Sequence, residues 1–338
     1  MALGIVVIGR NEGERLRRCF ESVEDQGEAV VYVDSGSTDG SVCMARDRGV
    51  DVVELDMSVP FSAARARNAG FARLIELSPD IEFVHFVDGD CEVVPQWFDL
   101  ATGTLMGQDR VGIVCGRLRE RHLIASKYHQ LCEVEWNQEP GEVSECGGIF
   151  TARVDAFSSV GGFDPKLMAG EEPDLCSRMI GHGWKIARLP DDMGWHDADM
   201  TRFSQWWKRA VRSGYAYAQV NDLRRRDAPE GWLRELRSAW IWGLVVPLVG
   251  VALVSMFSGW GLLVFGLYPI WVVRIASRVR RRAGSWRVAL FYGTMCLVAK
   301  WASMVGQVRY VWDRTFKRIP APIEYKVPCR IGNGSDRN

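Results

Sequence analysis

From residue 1 to about 220 the chain alternates short apolar runs with amphipathic stretches. Residues 4–8, 29–33, 52–55, 81–87 and 111–115 are brief, rich in Val, Ile and Phe, and bounded by turn residues, which predicts strands buried on both faces. Between them, 12–23, 41–48, 63–77 and 96–105 carry apolar residues at helical spacing. This alternation predicts an α/β domain with a mainly parallel sheet covered by helices. In such sheets ligands gather outside the carboxyl ends of the strands.

From residue 238 the texture changes. Residues 239–257 carry no charge, nor do 259–273, and Ser258-Gly259 breaks the two runs. The first is long enough to cross a hydrocarbon core; the second holds Trp260, Tyr268 and Trp271, rings that favour membrane interfaces. Arg234 and Arg237 precede the pair, and Arg278, Arg280, Arg281 and Arg282 follow it. Two transmembrane helices with both basic ends in the cytosol satisfy this pattern, with the N-terminal domain on the cytoplasmic face of the cell inner membrane. A third apolar stretch, 288–308, contains Lys300 and Gln307, and crossing would export Arg309, Arg314, Lys317 and Arg318. It is therefore expected to lie in the interface. The resulting organisation is an α/β domain over 1–220, a basic linker over 221–237, membrane-associated helices over 238–320, and a tail over 321–338, expected to be disordered after Tyr325.

Composition narrows the classes. Of 338 residues 47% are hydrophobic, too many for a disordered chain. Lys plus Arg (42) equals Asp plus Glu (42), so no net charge draws the protein to nucleic acid. The basic clusters Arg224-Arg225-Arg226 and 278–282 flank the apolar hairpin and suit anionic lipid. Nine scattered cysteines without a C-x-x-C pair argue against a zinc ribbon or disulfide scaffold and for a reducing compartment. The apolar run 3–8 is too short for a secretory segment, lacks a basic preceding region, and is read as the first strand.

Four places carry chemistry. The run Val33-Asp34-Ser35-Gly36-Ser37-Thr38-Asp39-Gly40-Ser41 leaves a strand through an acid and small residues into a helix. Ser37 or Asp39 suits the N-cap of that helix, whereas Asp34, at the strand end, needs another explanation. Asp88-Gly89-Asp90 ends an apolar strand with two acids that repel unless a cation sits between or beside them. Oxygen ligands there suit Mg²⁺ or Mn²⁺. In Gly170-Glu171-Glu172-Pro173-Asp174, proline at the first helical position would make Glu172 the N-cap, with Asp174 pairing to Arg178 four residues on. Lastly, His196 stands in Trp195-His196-Asp197; a lone histidine is commonly structural, and only its company gives it weight.

Taken in order from Ile5 to about Gly214, the motifs resemble those of the family 2 glycosyltransferases, whose catalytic domain has the GT-A fold. The resemblance rests on Asn11-Glu12, the 33–39 run, Ala66-Arg67-Asn68-Ala69-Gly70 and Asp88-Gly89-Asp90. It continues through Gly147-Gly148, Gly161-Gly162-Phe163-Asp164, Glu171-Glu172-x-Asp174-Leu175 and His196. It implies that Asp34 helps bind the base or ribose of a nucleotide diphosphate sugar, with a UDP-sugar expected, and that Arg67 approaches the nucleotide side. Asp88 would hold ribose or metal, Asp90 the metal bridging the diphosphate, and His196 a further ligand position. Glu172 falls at the catalytic base.

Three departures matter. Ser35 stands where many members have a second Asp. Glu172 replaces the usual Asp base, with Glu171 beside it as a rival. Gln205-Trp206-Trp207-Lys208-Arg209 only echoes the Gln-x-x-Arg-Trp signature of processive synthases. The expected activity is an inverting, metal-dependent transfer of sugar to an acceptor hydroxyl, on a lipid-linked or envelope glycan acceptor. Two competing readings are a processive polysaccharide synthase, for which two spans are few, and a catalytically silent membrane adaptor.

Overall fold

The computed structural model describes residues 2–229, 231–318 and 323–324. Almost all of the expected tail over 321–338 lies outside the described residues. The chain divides into two compact units, each described by itself below. The first runs to Arg121 and resumes over Glu139–Asp199; the second takes His122–Gln138 and the helices from Met200 onward. The division therefore falls some twenty residues before the boundary expected near 220, because the long helix over 203–224 clusters with the C-terminal helices.

The first unit opens with β1 (Leu3–Gly9), α1 (Glu14–Val23), β2 (Ala29–Asp34), α2 (Ser41–Asp47), β3 (Asp51–Glu54) and α3 (Ala63–Leu77). It continues with β4 (Phe83–Asp88), β5 (Cys91–Val93), α4 (Gln96–Gly107) and β6 (Val111–Glu120). Here α3 begins on Ser62, whose hydroxyl accepts from the Arg65 amide at 3.3 Å. After α5 (Lys127–Trp136), which belongs to the second unit, come β7 (Gly141–Val143), β8 (Phe150–Arg153), α6 (Val154–Ser159), α7 (Glu171–Gly181) and β9 (Lys185–His196).

Among the described residues the strands form one sheet in the order β3-β2-β1-β4-β8-β6-β9-β5, with β7 added on β9. The β3-β2-β1-β4 half is parallel, as is β6 with β9, while β8, β5 and β7 run antiparallel to their neighbours. Successive strand residues point to opposite faces. Val7, Tyr32 and Val87 join Leu16, Phe20 and Trp97 on one side; Val6, Val33 and Phe86 join Leu74, Phe157 and Phe163 on the other. Gly70 lets α3 lie close against the sheet, since a Cβ there would sit 2.4 Å from Val6 and 2.8 Å from Val33.

The second unit holds α5, α8 (Phe203–Arg224), α9 (Trp232–Trp240), a π turn at Ile241–Val245 and α10 (Val246–Phe257). A 3-10 segment (Ser258–Gly266), α11 (Leu267–Val279) and α12 (Trp286–Thr315) complete it. Three stretches are long and apolar enough to cross a membrane by length and composition: Trp232–Met256, Gly261–Val279 and Trp286–Thr315. The first two fold against each other, with Gly250 against Phe265 and the Tyr268 hydroxyl donating to the Trp242 carbonyl at 2.8 Å.

Lys300 and Gln307, the polar positions of α12, find partners inside the unit. Lys300 meets Glu235 at 2.7 Å, and Gln307 accepts from the Trp240 indole at 2.7 Å. Gly214 and Gly306 let α8 and α12 nearly touch: a Cβ would lie 2.2 Å from the Ser303 carbonyl oxygen and 2.0 Å from that of Val211, respectively. In the echo of the processive signature, Gln205 accepts from the Thr201 and Arg202 amides at the start of α8, and Trp206 is buried. Those residues therefore serve the helix itself.

Candidate active site

The parallel strands end together. Gly9 pairs with Asp34 and Ile8 with Asp88, so the exits of β1, β2 and β4 form one rim, and the chain order reverses between β1 and β4. That reversal opens the crevice where ligands of open α/β sheets bind. Asp34 is buried, and its carboxylate accepts from the Gly36 amide at 2.9 Å, the Ser37 amide at 2.8 Å and the Tyr32 hydroxyl at 3.0 Å. It shapes the loop from within. Burial and the neighbouring carboxylate push the Tyr32 phenol well above its ordinary range, so it stays a donor.

This loop is laced to the exit of β1. The Asn11 amide donates to Ser37 Oγ at 2.9 Å, and the Thr38 amide donates to Asn11 Oδ1 at 2.7 Å. Asn11 holds a φ of 55°, a left-handed conformation that asparagine tolerates. Asp39 accepts from the Gly13 amide at 2.9 Å and from the Ser41 amide at 3.1 Å. The N-cap of α2 is Gly40, at φ 84°, and neither Ser37 nor Asp39. Glycine takes that conformation without strain, and Asp39 reaches the first helical amide from one residue further back.

Beside this cradle an ion cluster fills the crevice. Arg67, projecting from α3, is 2% exposed. It donates to Asp88 at 2.9 Å, Glu172 at 2.9 Å, Glu171 at 3.2 Å and the Gly148 carbonyl at 3.2 Å. Burial works against the charged guanidinium, but Asp88, Glu172 and Glu171 outweigh it and keep the group firmly protonated. Its partners in the structure are the three acids and the Gly148 carbonyl. Gly148 stands at the crossing, where a Cβ would lie 3.0 Å from Arg67, 3.1 Å from Asp88 and 3.3 Å from Glu172.

The two glutamates are the first residues of α7. Its N-cap is Gly170, at φ 79°, so Pro173 occupies the third helical position and Glu172 is not the cap. Proline is accepted there because first-turn amides have no partner within the helix. Asp174 pairs with Arg178 at 2.9 Å, as its spacing predicts. Arg178 in turn donates to the carbonyls of Val160 at 2.6 Å and Gly162 at 2.8 Å. Asn68, next to Arg67, holds Phe163 through two hydrogen bonds of 2.8 and 3.0 Å. The 160–163 loop is therefore clamped from α3 and α7 together, with Asp174 contributing through Arg178.

Asp90 and His196 meet on the other side of the Asp88-Gly89-Asp90 turn, with His196 Nε2 3.2 Å from Asp90 Oδ2. β9 brings them together: His196 lies opposite Cys91 of β5 and beside Glu120 of β6, and the Asp197 amide donates to the Asp90 carbonyl at 3.0 Å. Asp90, Cys91 and His196 each offer a ligand atom within 4.8 Å of one another. Carboxylate, imidazole and thiol together form a donor set that fits a divalent transition-metal ion. Glu120 Oε2 stands 3.8 Å from His196 Nδ1, where it can bias the ring's orientation. Sequence reasoning missed Cys91 and Glu120. The alternation Arg117-Leu118-Arg119-Glu120-Arg121 was the available sign that β6 runs on past residue 115.

The sheet order, the rim of acids and the acid–histidine pair define a GT-A domain. In agreement, the chain shares its fold with a mannosyltransferase, PcManGT, from Pyrobaculum calidifontis, solved in complex with GDP-Man and Mn²⁺. The TM-score is 0.56 at 15% identity, over 92% of this chain and 87% of that one. Glucosyl-3-phosphoglycerate synthase from Mycobacterium tuberculosis, solved with Mn²⁺, UDP-glucose and phosphoglyceric acid, gives 0.50 at 17% identity over 68% and 81%.

Residues 4–156 match the glycosyl transferase family 2 profile, and this domain is a family 2 glycosyltransferase domain. Glycosyltransferase AglE of Haloferax volcanii is 25% identical over 257 residues, 72% of this chain and 80% of that protein. The pre-mycofactocin glycosyltransferase of Mycobacterium tuberculosis is 28% identical over 232 residues, or 64% of this chain; the match spans only 47% of that relative's length.

Proposed function

We propose that the protein is an inverting, metal-dependent glycosyltransferase that moves a sugar from a nucleotide diphosphate donor, a UDP-sugar in the first instance, onto the hydroxyl of a lipid-linked or envelope glycan acceptor. The observation that carries the reading is the convergence at one rim of Arg67 with Asp88, Glu171 and Glu172, and of Asp90 with His196 at 3.2 Å. Solved proteins of the same fold hold manganese with GDP-mannose or with UDP-glucose, which favours a nucleotide sugar and a divalent cation here.

Each group then has a task. The Asp34 loop and Asn11 shape the nucleotide side, and Asp88 faces the ribose or metal. A divalent cation held by Asp90 and His196 would offset the charge that gathers on the departing diphosphate. Glu172 is the base for the acceptor hydroxyl, and its place in the first turn of α7 favours its ionised form. Arg67 fixes Glu172 and leaves Glu171, at 3% exposure, as a buried counter-charge rather than a rival base. One base facing a single displacement gives inversion at the anomeric carbon.

Attachment to the cytoplasmic face of the inner membrane belongs to the same proposal. The exposed apolar residues of the second unit, among them Leu248, Val251, Met256, Leu262, Leu263 and Ile270, line the hairpin. For α12 the interfacial placement is retained. It packs along α8, whose Asp222 holds Tyr310 at 2.6 Å and Arg314 at 2.7 Å, and a helix that carries such pairs suits the membrane surface better than its interior.

The test uses the full chain purified in detergent, a donor panel with Mn²⁺ or Mg²⁺, and Glu172→Gln. Metal-dependent release of the nucleoside diphosphate is expected from the parent. The variant should bind donor within about threefold of it while transfer falls by about 10²–10⁴, the range for a lost general base. An active Glu172→Gln, or a product that retains the donor's anomeric configuration, overturns the assignment.

A further inference from the structure

Cys91 follows Asp90 directly and opens β5. It lies opposite His196 across the antiparallel β5/β9 pair, and opposed residues of such a pair project to the same face. Its Sγ is 3.4 Å from Asp90 Oδ1. Bonds of about 2.0 Å to oxygen or nitrogen and about 2.3 Å to sulfur place two ligands of one tetrahedral ion about 3.5 Å apart. The three ligand atoms lie within 4.8 Å of one another, and a side-chain adjustment of at most about 1.3 Å closes them around one ion. Cys19 and Cys115 are equally buried and pack in the core. Cys91 differs from them in having a carboxylate and an imidazole gathered with its sulfur.

We propose that Cys91 is a third protein ligand of the cation at Asp90 and His196, and that its sulfur makes the site prefer borderline and soft divalent ions such as Co²⁺, Zn²⁺ and Cd²⁺ over Mg²⁺. This rests on the metal-site reading of Asp90 and His196 and adds a ligand that the resemblance does not imply. On binding, the sulfur donates an electron pair to the ion and the thiol proton passes to solvent. Thiolate favours ions that hard carboxylate sites hold poorly, whereas Mg²⁺ gains nothing from sulfur.

The experiment loads the full chain in detergent with Co²⁺ alone and records absorption. The parent should develop a thiolate-to-cobalt charge-transfer band in the near ultraviolet. Cys91→Ser and Cys91→Ala should lose that band while keeping weaker visible bands from cobalt at Asp90 and His196, and Cys43→Ser should keep both. Affinity for Cd²⁺ should fall by at least about 10- to 100-fold in the Cys91 variants, since losing even an outer-shell partner of a metal ligand costs that much, and Mg²⁺ affinity by less than about threefold. Cobalt bound to the parent without the band, or a band that survives loss of Cys91, overturns the inference and leaves the Asp90–His196 site standing. If neither Co²⁺ nor Mn²⁺ binds and His196→Asn changes nothing, the metal-site reading falls as well.

Discussion

Replacing Arg67 by methionine tests the ion cluster most sharply. The guanidinium is 2% exposed and makes four hydrogen bonds, three of them to carboxylates whose side chains are 35% (Asp88), 17% (Glu172) and 4% (Glu171) exposed. Methionine fills much of the volume but leaves those acids facing one another without their cation. Asp88 can turn toward water; Glu171 cannot. Removing one partner of a buried ion pair costs about 3–5 kcal/mol, and we expect a loss in that range, a large share of the roughly 5–15 kcal/mol that holds a domain together. The assay is chemical denaturation of the full chain followed by tryptophan fluorescence, on Arg67→Met, Glu171→Gln and the double variant. Because Glu171 is the most deeply buried acid, removing its charge should recover at least about 1 kcal/mol in the double variant, as neighbours in one network couple. Strictly additive losses would refute the idea that charge balance holds the cluster.

Other consequences follow from the same geometry. His85 is buried, with Nδ1 2.9 Å from Thr151 Oγ1, and burial lowers its pKa from 6.5 to about 3. The unfolded chain takes up the proton first, so the stabilising effect of the neutral ring is whole above pH 6.5 and declines as pH falls toward 3. About 2 kcal/mol should be gone at pH 5, and parent and His85→Gln compared at pH 7.5 and 5 should differ in pH dependence by that amount; parallel profiles would refute it. In Gly148→Ala the new methyl presses on Arg67, Asp88 and Glu172 at 3.0–3.3 Å. Transfer should fall at least tenfold for a stability loss of about 1–2 kcal/mol, and an unchanged rate would show that the crossing is looser than drawn. Gly214→Leu drives a side chain into the Ser303 backbone and should expose α8 and α12 to protease, whereas Ser213→Leu on the exposed side should not.

The parallel half of the sheet was legible because its strands are short, apolar and separated by periodic helices; the span 63–77 and the observed α3 coincide. β9 was not, although it carries His196. Its sequence Lys185-Ile-Ala-Arg-Leu-Pro-Asp-Asp-Met-Gly-Trp-His contains proline, two acids and glycine, all poor strand formers. Its register with β6 jumps between Arg188 and Asp192, so neighbouring strands rather than its own composition hold it extended. The start of α7 misled for a related reason: the cue from Pro173 is local, while Gly170 sets the turn into the helix. For α12, Lys300 and Gln307 interrupt an apolar stretch with no sign in the sequence of their partners, and Glu235 and Trp240, from another helix, satisfy them. For Arg67, the sequence motif marked the residue but not its partners, because Asp88, Glu171 and Glu172 reach it from two other elements.

Everything functional rests on one gathering of acids, histidine and pyrophosphate around a cation at the carboxyl rim of the sheet. Crystals of the full chain grown with Mn²⁺ and a nucleoside diphosphate, measured for manganese anomalous scattering, test it most directly. The account predicts a single strong peak in contact with both Asp90 and His196, with the diphosphate on its open side and Glu172 across the cavity that remains for the sugar. Manganese and nucleotide found away from these residues, with Asp90 and His196 still joined to each other, would contradict it.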